Sequence, residues 1–346
     1  METSHIELSY AVITTIQGPT PCMVELAAIL RPMNMPLLVI GDSKGPFEYE
    51  LEGTELWTLN AQAALPYSLA SRLPTKHYTR KNLGYLIAIS KGAACIYETD
   101  DDNAPSPTWR FRREETEAVV LEQSPWINAY RWFTNKHIWP RGFPIELIRA
   151  EATMPRPARP GTSMLRAPIQ QGLADRSPDV DAVWRLVLDE DFSFDVAESI
   201  FLPPGSWCPF NSQTTWWWPE AYPLLYLPSR CSFRMTDIWR SFVAQRCLWE
   251  LGFGLVFHPP EVYQDRNEHS LLDDFRAEVP GYTQNAAIVL VLDKTELDSG
   301  VANVGRNLLR CYGALCKAGF FPAEELRLVE AWLLDLEALS SHRANS

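Results

Sequence analysis

Short apolar runs alternate with helical spacings through the first hundred residues. Residues 10–16 and 36–40 read as strands, residues 54–58 as a possible third, and residues 94–98 as another. Between them lie a helical stretch at 21–30 and a second at 80–91, where Leu83, Leu86, Ile87 and Ser90 recur at helical intervals. Strand and helix in alternation predict an α/β fold, with a mostly parallel sheet flanked by helices. Such sheets bind ligands beyond the carboxyl ends of their strands. Thr14, Thr15, Asp42 and the run Asp100, Asp101, Asp102 are therefore expected on one rim.

From 101 to about 182 the chain is rich in proline, and residues 154–161 exclude a continuous helix or central strand. Long ordered loops over the sheet are expected here. Residues 181–189 and 237–251 return to helical spacing, 254–257 reads as a buried strand, and 299–317 and 322–339 read as amphipathic helices, the last begun by Pro322. This pattern divides the chain into a ligand-binding domain at 1–285 and a helical extension at 286–346 packed on it.

Composition narrows the classes. The 346 residues are 46% apolar and 21% charged, which supports a folded core. A net charge of −12 excludes the basic face that a nucleic-acid partner requires. Seven scattered cysteines form no C-x-x-C pair and suit neither a zinc ribbon nor a disulfide framework. The first residues lack a basic segment followed by an apolar one, and the longest apolar runs, such as 286–292, are too short to span a bilayer. A soluble cytoplasmic protein without an integral membrane segment is expected, with the terminal helices available for a homo-oligomer. Thirteen tryptophans, among them Trp207, Trp216, Trp217 and Trp218, suggest aromatic rings in a groove, and one of these four is expected to line the site as a sugar platform.

Three consecutive aspartates repel one another unless a cation or solvent compensates. Directly after a strand, their hard oxygens suit Mg²⁺ or Mn²⁺, ions that keep waters and bridge to ligand phosphates. Arg80 and Lys81, at the start of the preceding helix, are placed to meet those phosphates, and Gly84 permits close packing beneath them. Asp42, after the second strand, is either a contact to a ribose or base edge or an ordinary turn residue.

The segment 80–103, from Arg80-Lys81-Asn82 to Asp100-Asp101-Asp102-Asn103, resembles the metal-motif region of the STELLO family of glycosyltransferase-like proteins. Segments 139–144, 236–241 and 262–269 resemble that family in the same order, so that the resemblance covers roughly residues 10–285. A fainter similarity runs to the UDP-arabinopyranose mutases, or reversibly glycosylated polypeptides. The resemblance implies a GT-A (Rossmann-like) fold that binds a nucleoside-diphosphate sugar, UDP being the commonest, through Mn²⁺ or Mg²⁺ for transfer to a carbohydrate acceptor. It implies Asp100 and Asp102 as ribose and metal contacts and Asp101 facing the sugar. STELLO proteins are membrane-anchored in the Golgi, and that cellular role is not carried over.

By the same analogy Asp237, opening a helix, is the candidate general base, its competing role being a helix cap. His258 and His269 are candidates for a further metal contact, while Gln264 stands where the mutases have a histidine. Arg141 is expected to pair with the diphosphate. A nucleotide-sugar mutase and a non-catalytic scaffold are the alternatives to a transferase.

Overall fold

The structure, a computed structural model, describes residues 8–188, 190–265 and 270–344. Its strands are β1 (Ser9–Thr14), β2 (Leu37–Ile40), β3 (Thr54–Trp57), β4 (Cys95–Thr99), β5 (Asn103–Pro105), β6 (Glu115–Val120), β7 (Ser163–Arg166), β8 (Ile169–Asp175), β9 (Ile200–Leu202), β10 (Thr214–Trp217) and β11 (Leu255–Gln264). Its α-helices are α1 (Pro21–Leu30), α2 (Leu59–Ala63), α3 (Lys81–Ser90), α4 (Ala182–Val187), α5 (Thr236–Glu250), α6 (Leu271–Asp293), α7 (Val304–Lys317) and α8 (Ala323–Ala344). The strands form one sheet in the order β3-β2-β1-β4-β10-β8-β11-β9-β6-β7, with β5 paired to β11.

The expected parallel sheet is β3-β2-β1-β4. Beyond β4 the sheet is mixed, because β10 runs antiparallel to both β4 and β8, whereas β8 and β11 are parallel. The architecture is α/β, a large sheet flanked by helices. The carboxyl ends of β1, β2, β4 and β11 and the start of β10 consequently meet at one rim.

Alternation along the strands sorts side chains into two layers. Ala11, Ile13, Leu37 and Val39 pack with Met23 and Leu26 of α1 on one face. Val12, Leu38, Ile40 and Ile96 face the larger core, built with α3, α5, α7 and α8. Gly84 sets the closeness of α3: a Cβ there would meet Val12 Cγ1 at 2.5 Å and Ile40 Cγ1 at 2.8 Å.

The tryptophan run belongs to this packing. Trp216 and Trp217 are consecutive residues of β10, so their rings enter opposite layers, and both are fully buried. Trp207 and Trp218 are buried as well, so the expectation that one of the four lines the site is corrected.

The boundary expected at 285/286 falls inside α6. Tyr312, Phe321 and Trp332 join Tyr226 and Trp239 in one continuous core. On α8, buried Glu325 accepts from Tyr226 Oη and the backbone N–H groups of Ser229 and Arg230, and Asp335 accepts from those of Ser68 and Leu69. The terminal helices thus complete the domain's core. Among the described residues no helix is long and apolar enough to cross a membrane.

Candidate functional site

Each member of the aspartate run has a different partner. Asp100 Oδ1 takes the ammonium of buried Lys81 at 2.8 Å. Asp101 accepts from Thr15 Oγ1, and its carbonyl accepts from Thr20 Oγ1 at 2.6 Å. Asp102 Oδ2 accepts from Gln264 Nε2 at 2.9 Å, while its Oδ1 is buried without a hydrogen-bond partner among the described residues. Burial raises all three carboxyls above their usual range. At Asp102, burial together with the neighbouring charges of Asp100 and Asp101 raises it to about 7.

Two adjoining cavities open on this rim. The larger, about 440 Å³, lies beyond β1 and β2 and is lined by Thr15, Asp42, His77, Tyr78, Arg80 and Phe233 among others. The smaller, about 230 Å³, is lined by Asp100, Asp101, Asp102, Arg141, Asp237 and Gln264 among others. Thr14, Tyr78, Asp101 and Phe233 belong to both. Thr14, Asp42, Arg80, Asp100, Asp101, Asp102, Arg141 and Asp237 are therefore brought together as the sequence suggested.

Their bonding differs from expectation in several places. Arg141 spends its donors on protein: Nε and Nη2 on Asp179 at 2.7 and 2.9 Å, Nη1 and Nη2 on Asp237 at 3.1 and 2.9 Å, and Nη1 also on the Arg234 carbonyl. All five N–H groups are engaged, so the diphosphate contact expected of Arg141 is corrected. Gly142 allows this loop to lie against α5, since a Cβ there would meet Ile238 Cγ2 at 2.3 Å, at a φ of +88°.

Asp237 is not a cap; the residue preceding α5 is Met235, with no side-chain capping bond. Its Oδ1 accepts from Arg141 Nη1, Tyr78 Oη at 3.3 Å and Ile238 N at 3.1 Å. Its Oδ2 accepts from Arg141 Nη2 and Ser212 N at 3.3 Å. Burial alone would raise this carboxyl, but the Arg141 guanidinium, aided by Arg240 and Arg234, holds it down to about 2. A general base works best with a pKa near the operating pH, so this arrangement favours a fixed anion over the expected base. Buried Arg240, one helical turn on, pairs with Glu98 of β4 at 2.7 Å and so ties α5 to the strand that carries the aspartates.

Lys81 and Arg80 are also reassigned. Lys81 is fully buried and gives its ammonium to the Thr99 carbonyl and Asp100, acting as a countercharge to the run and not as a phosphate contact. Arg80 lines the larger cavity but bonds Gln62 Oε1 at 2.6 Å and the Leu73 carbonyl at 3.3 Å. Asp42 orders its own turn, accepting from Ser43 N at 2.5 Å and His77 N at 3.0 Å. Burial opposes its ionisation, yet the N–H groups of Lys76, Ser43 and His77 hold its carboxyl below the usual value.

His258 is corrected outright as a metal contact. It is fully buried, with Nδ1 on Ser199 Oγ at 2.6 Å and Nε2 on Gln170 Oε1 at 2.8 Å, because its β11 position faces the sheet's interior. Burial, with Arg112 and Arg110 nearby, keeps it neutral. His269 lies outside the described residues. Tyr78, His77, Phe233 and Asp179 were missed, although His77 and Tyr78 open the short turn that leads into α3, a position that the rim argument could have flagged.

Among the described residues no group of three or more His, Cys, Asp or Glu side chains is placed to chelate a metal. Two all-oxygen donors, Asp100 and Asp102, with a buried oxygen of Asp102 unpartnered, fit only a hard divalent ion that completes its shell with water and ligand phosphate.

Known proteins match this chain in sequence. A family model described as STELLO glycosyltransferases matches residues 234–344, the stretch that includes Asp237 and α5 to α8. Probable glycosyltransferase STELLO1 of Arabidopsis thaliana is 28% identical over 95% of this chain and 44% of its own length. Probable glycosyltransferase STELLO2 of the same plant is 27% identical over 94% of this chain and 44% of its own. The chain thus spans less than half the length of these curated relatives. The chain is thus similar in sequence to the STELLO glycosyltransferases, along nearly its whole length in the two plant proteins and through α5 to α8 in the family match.

Proposed function

We propose that this chain is a glycosyltransferase that takes a nucleoside-diphosphate sugar, most simply a UDP-sugar, as donor and a carbohydrate as acceptor. The observation that carries the reading is the pair of joined cavities at the sheet's carboxyl rim. One is large enough for a nucleoside, and the other is walled by the aspartate run, with an unsatisfied Asp102 oxygen. Nucleotides favour this rim of a parallel sheet. The names of the relatives support the reaction class.

Asp100 and Asp102 would hold Mn²⁺ or Mg²⁺, which when bound supplies charge neutralisation for the departing diphosphate. Lys81 opposes the burial that raises the Asp100 carboxyl and orients it from below. Thr15 fixes Asp101, and Gln264 turns Asp102 toward the cavity. Asp237, fixed by Arg141 and Tyr78, offers a stationary negative charge on the opposite wall, suited to stabilising positive charge that develops at the sugar. The saturation of Asp237 also favours a second reading, a nucleotide-sugar mutase, because rearranging a bound sugar requires no external hydroxyl to be deprotonated.

Incubation with a panel of nucleotide sugars and Mn²⁺, followed by mass spectrometry, separates these readings. Free nucleoside diphosphate with a glycosylated acceptor supports transfer. An isomerised nucleotide sugar supports the mutase. Nucleotide sugars that neither bind nor change sink both and leave a scaffold.

A further inference from the structure

A separate cavity of about 340 Å³ lies in the proline-rich stretch and shares no lining residue with the two at the rim. Asn128 organises it. Its backbone N–H donates to the Thr153 carbonyl and its Nδ2 to the Ile138 carbonyl, both at 2.8 Å, so that three distant points of the loop are tied around the space. With Nδ2 committed to a carbonyl, Oδ1 is the acceptor end of the amide. This side chain lines the cavity, is only 2% exposed, and its Oδ1 has no hydrogen-bond partner among the described residues. A buried acceptor left unpaired is costly, and a ligand hydroxyl is a group that satisfies it.

The rest of the polar wall is basic. Arg131, His137 and Arg149 line it, and none of the three forms an ion pair among the described residues. Arg131 Nε is buried there without a partner. Burial lowers the His137 pKa, and Arg131 and Arg149 lower it further, so both guanidiniums lie within electrostatic reach of one ring. The cavity's carboxylate, Glu151, is already paired with Arg156 at 3.2 Å. Two uncompensated guanidiniums converging in a chain of net charge −12 suit an oxyanion, whose geometry their forked donors match. Ile148 and Met154 add apolar surface for the C–H face of a sugar ring.

We propose that this cavity binds a monosaccharide-sized anion, a sugar phosphate or a sugar carboxylate, whose oxyanion meets Arg131 and Arg149 and whose hydroxyl donates to Asn128 Oδ1. Its volume is at the low end for ligand pockets, roughly 300 to 1,000 Å³, and suits a single ring. The site does not rest on the donor-site reading.

Isothermal titration calorimetry of the protein in EDTA, with glucose 6-phosphate, glucuronate, glucose and sulfate in turn, tests it. Glucose lacks the charge, and sulfate lacks a hydroxyl for Asn128. At least one of the two charged sugars should bind with a Kd of about 1 mM or lower, about tenfold or more tighter than either glucose or sulfate. Which of the two binds tighter tells a phosphate ligand from a carboxylate one. Arg149 is exposed and has no ion pair among the described residues, so Arg149→Gln should keep the native melting temperature and weaken the charged sugar about tenfold. Failure of both charged sugars to bind overturns the inference, as does glucose or sulfate binding as tightly as they do, and these arms need no variant. Undiminished affinity in the Arg149→Gln protein overturns it too, by placing the sugar elsewhere.

Discussion

Replacing Asp237 by asparagine removes the charge that Arg141, Tyr78 and Ser212 converge on. The carboxyl's fall from the ordinary 3.8 to about 2 sets the scale. Roughly two pH units at ~1.36 kcal/mol each give on the order of 2 to 3 kcal/mol of stability from the ionised form. The sign follows from the depressed native pKa. The contribution is fully present above the unfolded value near 3.8 and is lost as pH falls through about 2. At pH 3 about half remains, so the gap between native protein and Asp237→Asn should shrink by about 1 kcal/mol between pH 7 and pH 3. Urea unfolding followed by tryptophan fluorescence at both pH values measures this gap from the midpoints, provided the slope is unchanged. A gap that stays constant, or one below about 0.5 kcal/mol at pH 7, would refute the claim that Asp237 is held as an anion by Arg141. Asparagine leaves Arg141 its Asp179 partner, so the fold should survive.

Other substitutions test neighbouring parts of the account. Gly84→Ala should cost about 1 to 3 kcal/mol in the same unfolding assay, because the added methyl meets Val12 and Ile40. Glu98→Gln should cost about 3 to 5 kcal/mol by leaving Arg240 buried without its anion, and a loss under about 1 kcal/mol would mean that solvent reaches the pair. Asp102→Asn should leave the ligand-free protein as stable or more so, since it relieves three adjacent carboxylates. It should also abolish any rise in melting temperature caused by Mn²⁺ with a nucleoside diphosphate.

Those features of the fold that were legible in the sequence rest on regular patterns. The strands β1, β2 and β4 are apolar runs between turn signals, and α1 and α3 have periodic apolar faces. By contrast, β8 reads Ile-Gln-Gln-Gly-Leu-Ala-Asp, and its polarity hides a central strand. Gln170 and Gln171 are buried there because their amides bond to the backbone carbonyls of Arg113, Ala167, Gly172 and Thr214, which no composition rule anticipates. The helix α6 was missed because Pro280 and Gly281 lie within it. At the site, position along the strands located Asp42 and the aspartate run correctly. Partners did not follow from position. Arg141 meets Asp179 and Asp237 across 38 and 96 residues of chain, and Lys81 turns inward beneath Asp100. A charged residue near a rim is thus legible as a neighbour of the rim's cavities, but whether its charge is free or already spent is decided by tertiary contacts.

Crystals soaked with Mn²⁺ and UDP, measured at a wavelength where manganese scatters anomalously, show whether the aspartate run holds a metal against a nucleotide at this rim. The account predicts a single anomalous peak against Asp102, diphosphate oxygens completing its shell, and the base in the cavity lined by His77, Tyr78 and Asp42. Nucleotide bound elsewhere, or bound at this rim without a metal peak near Asp102, would contradict it.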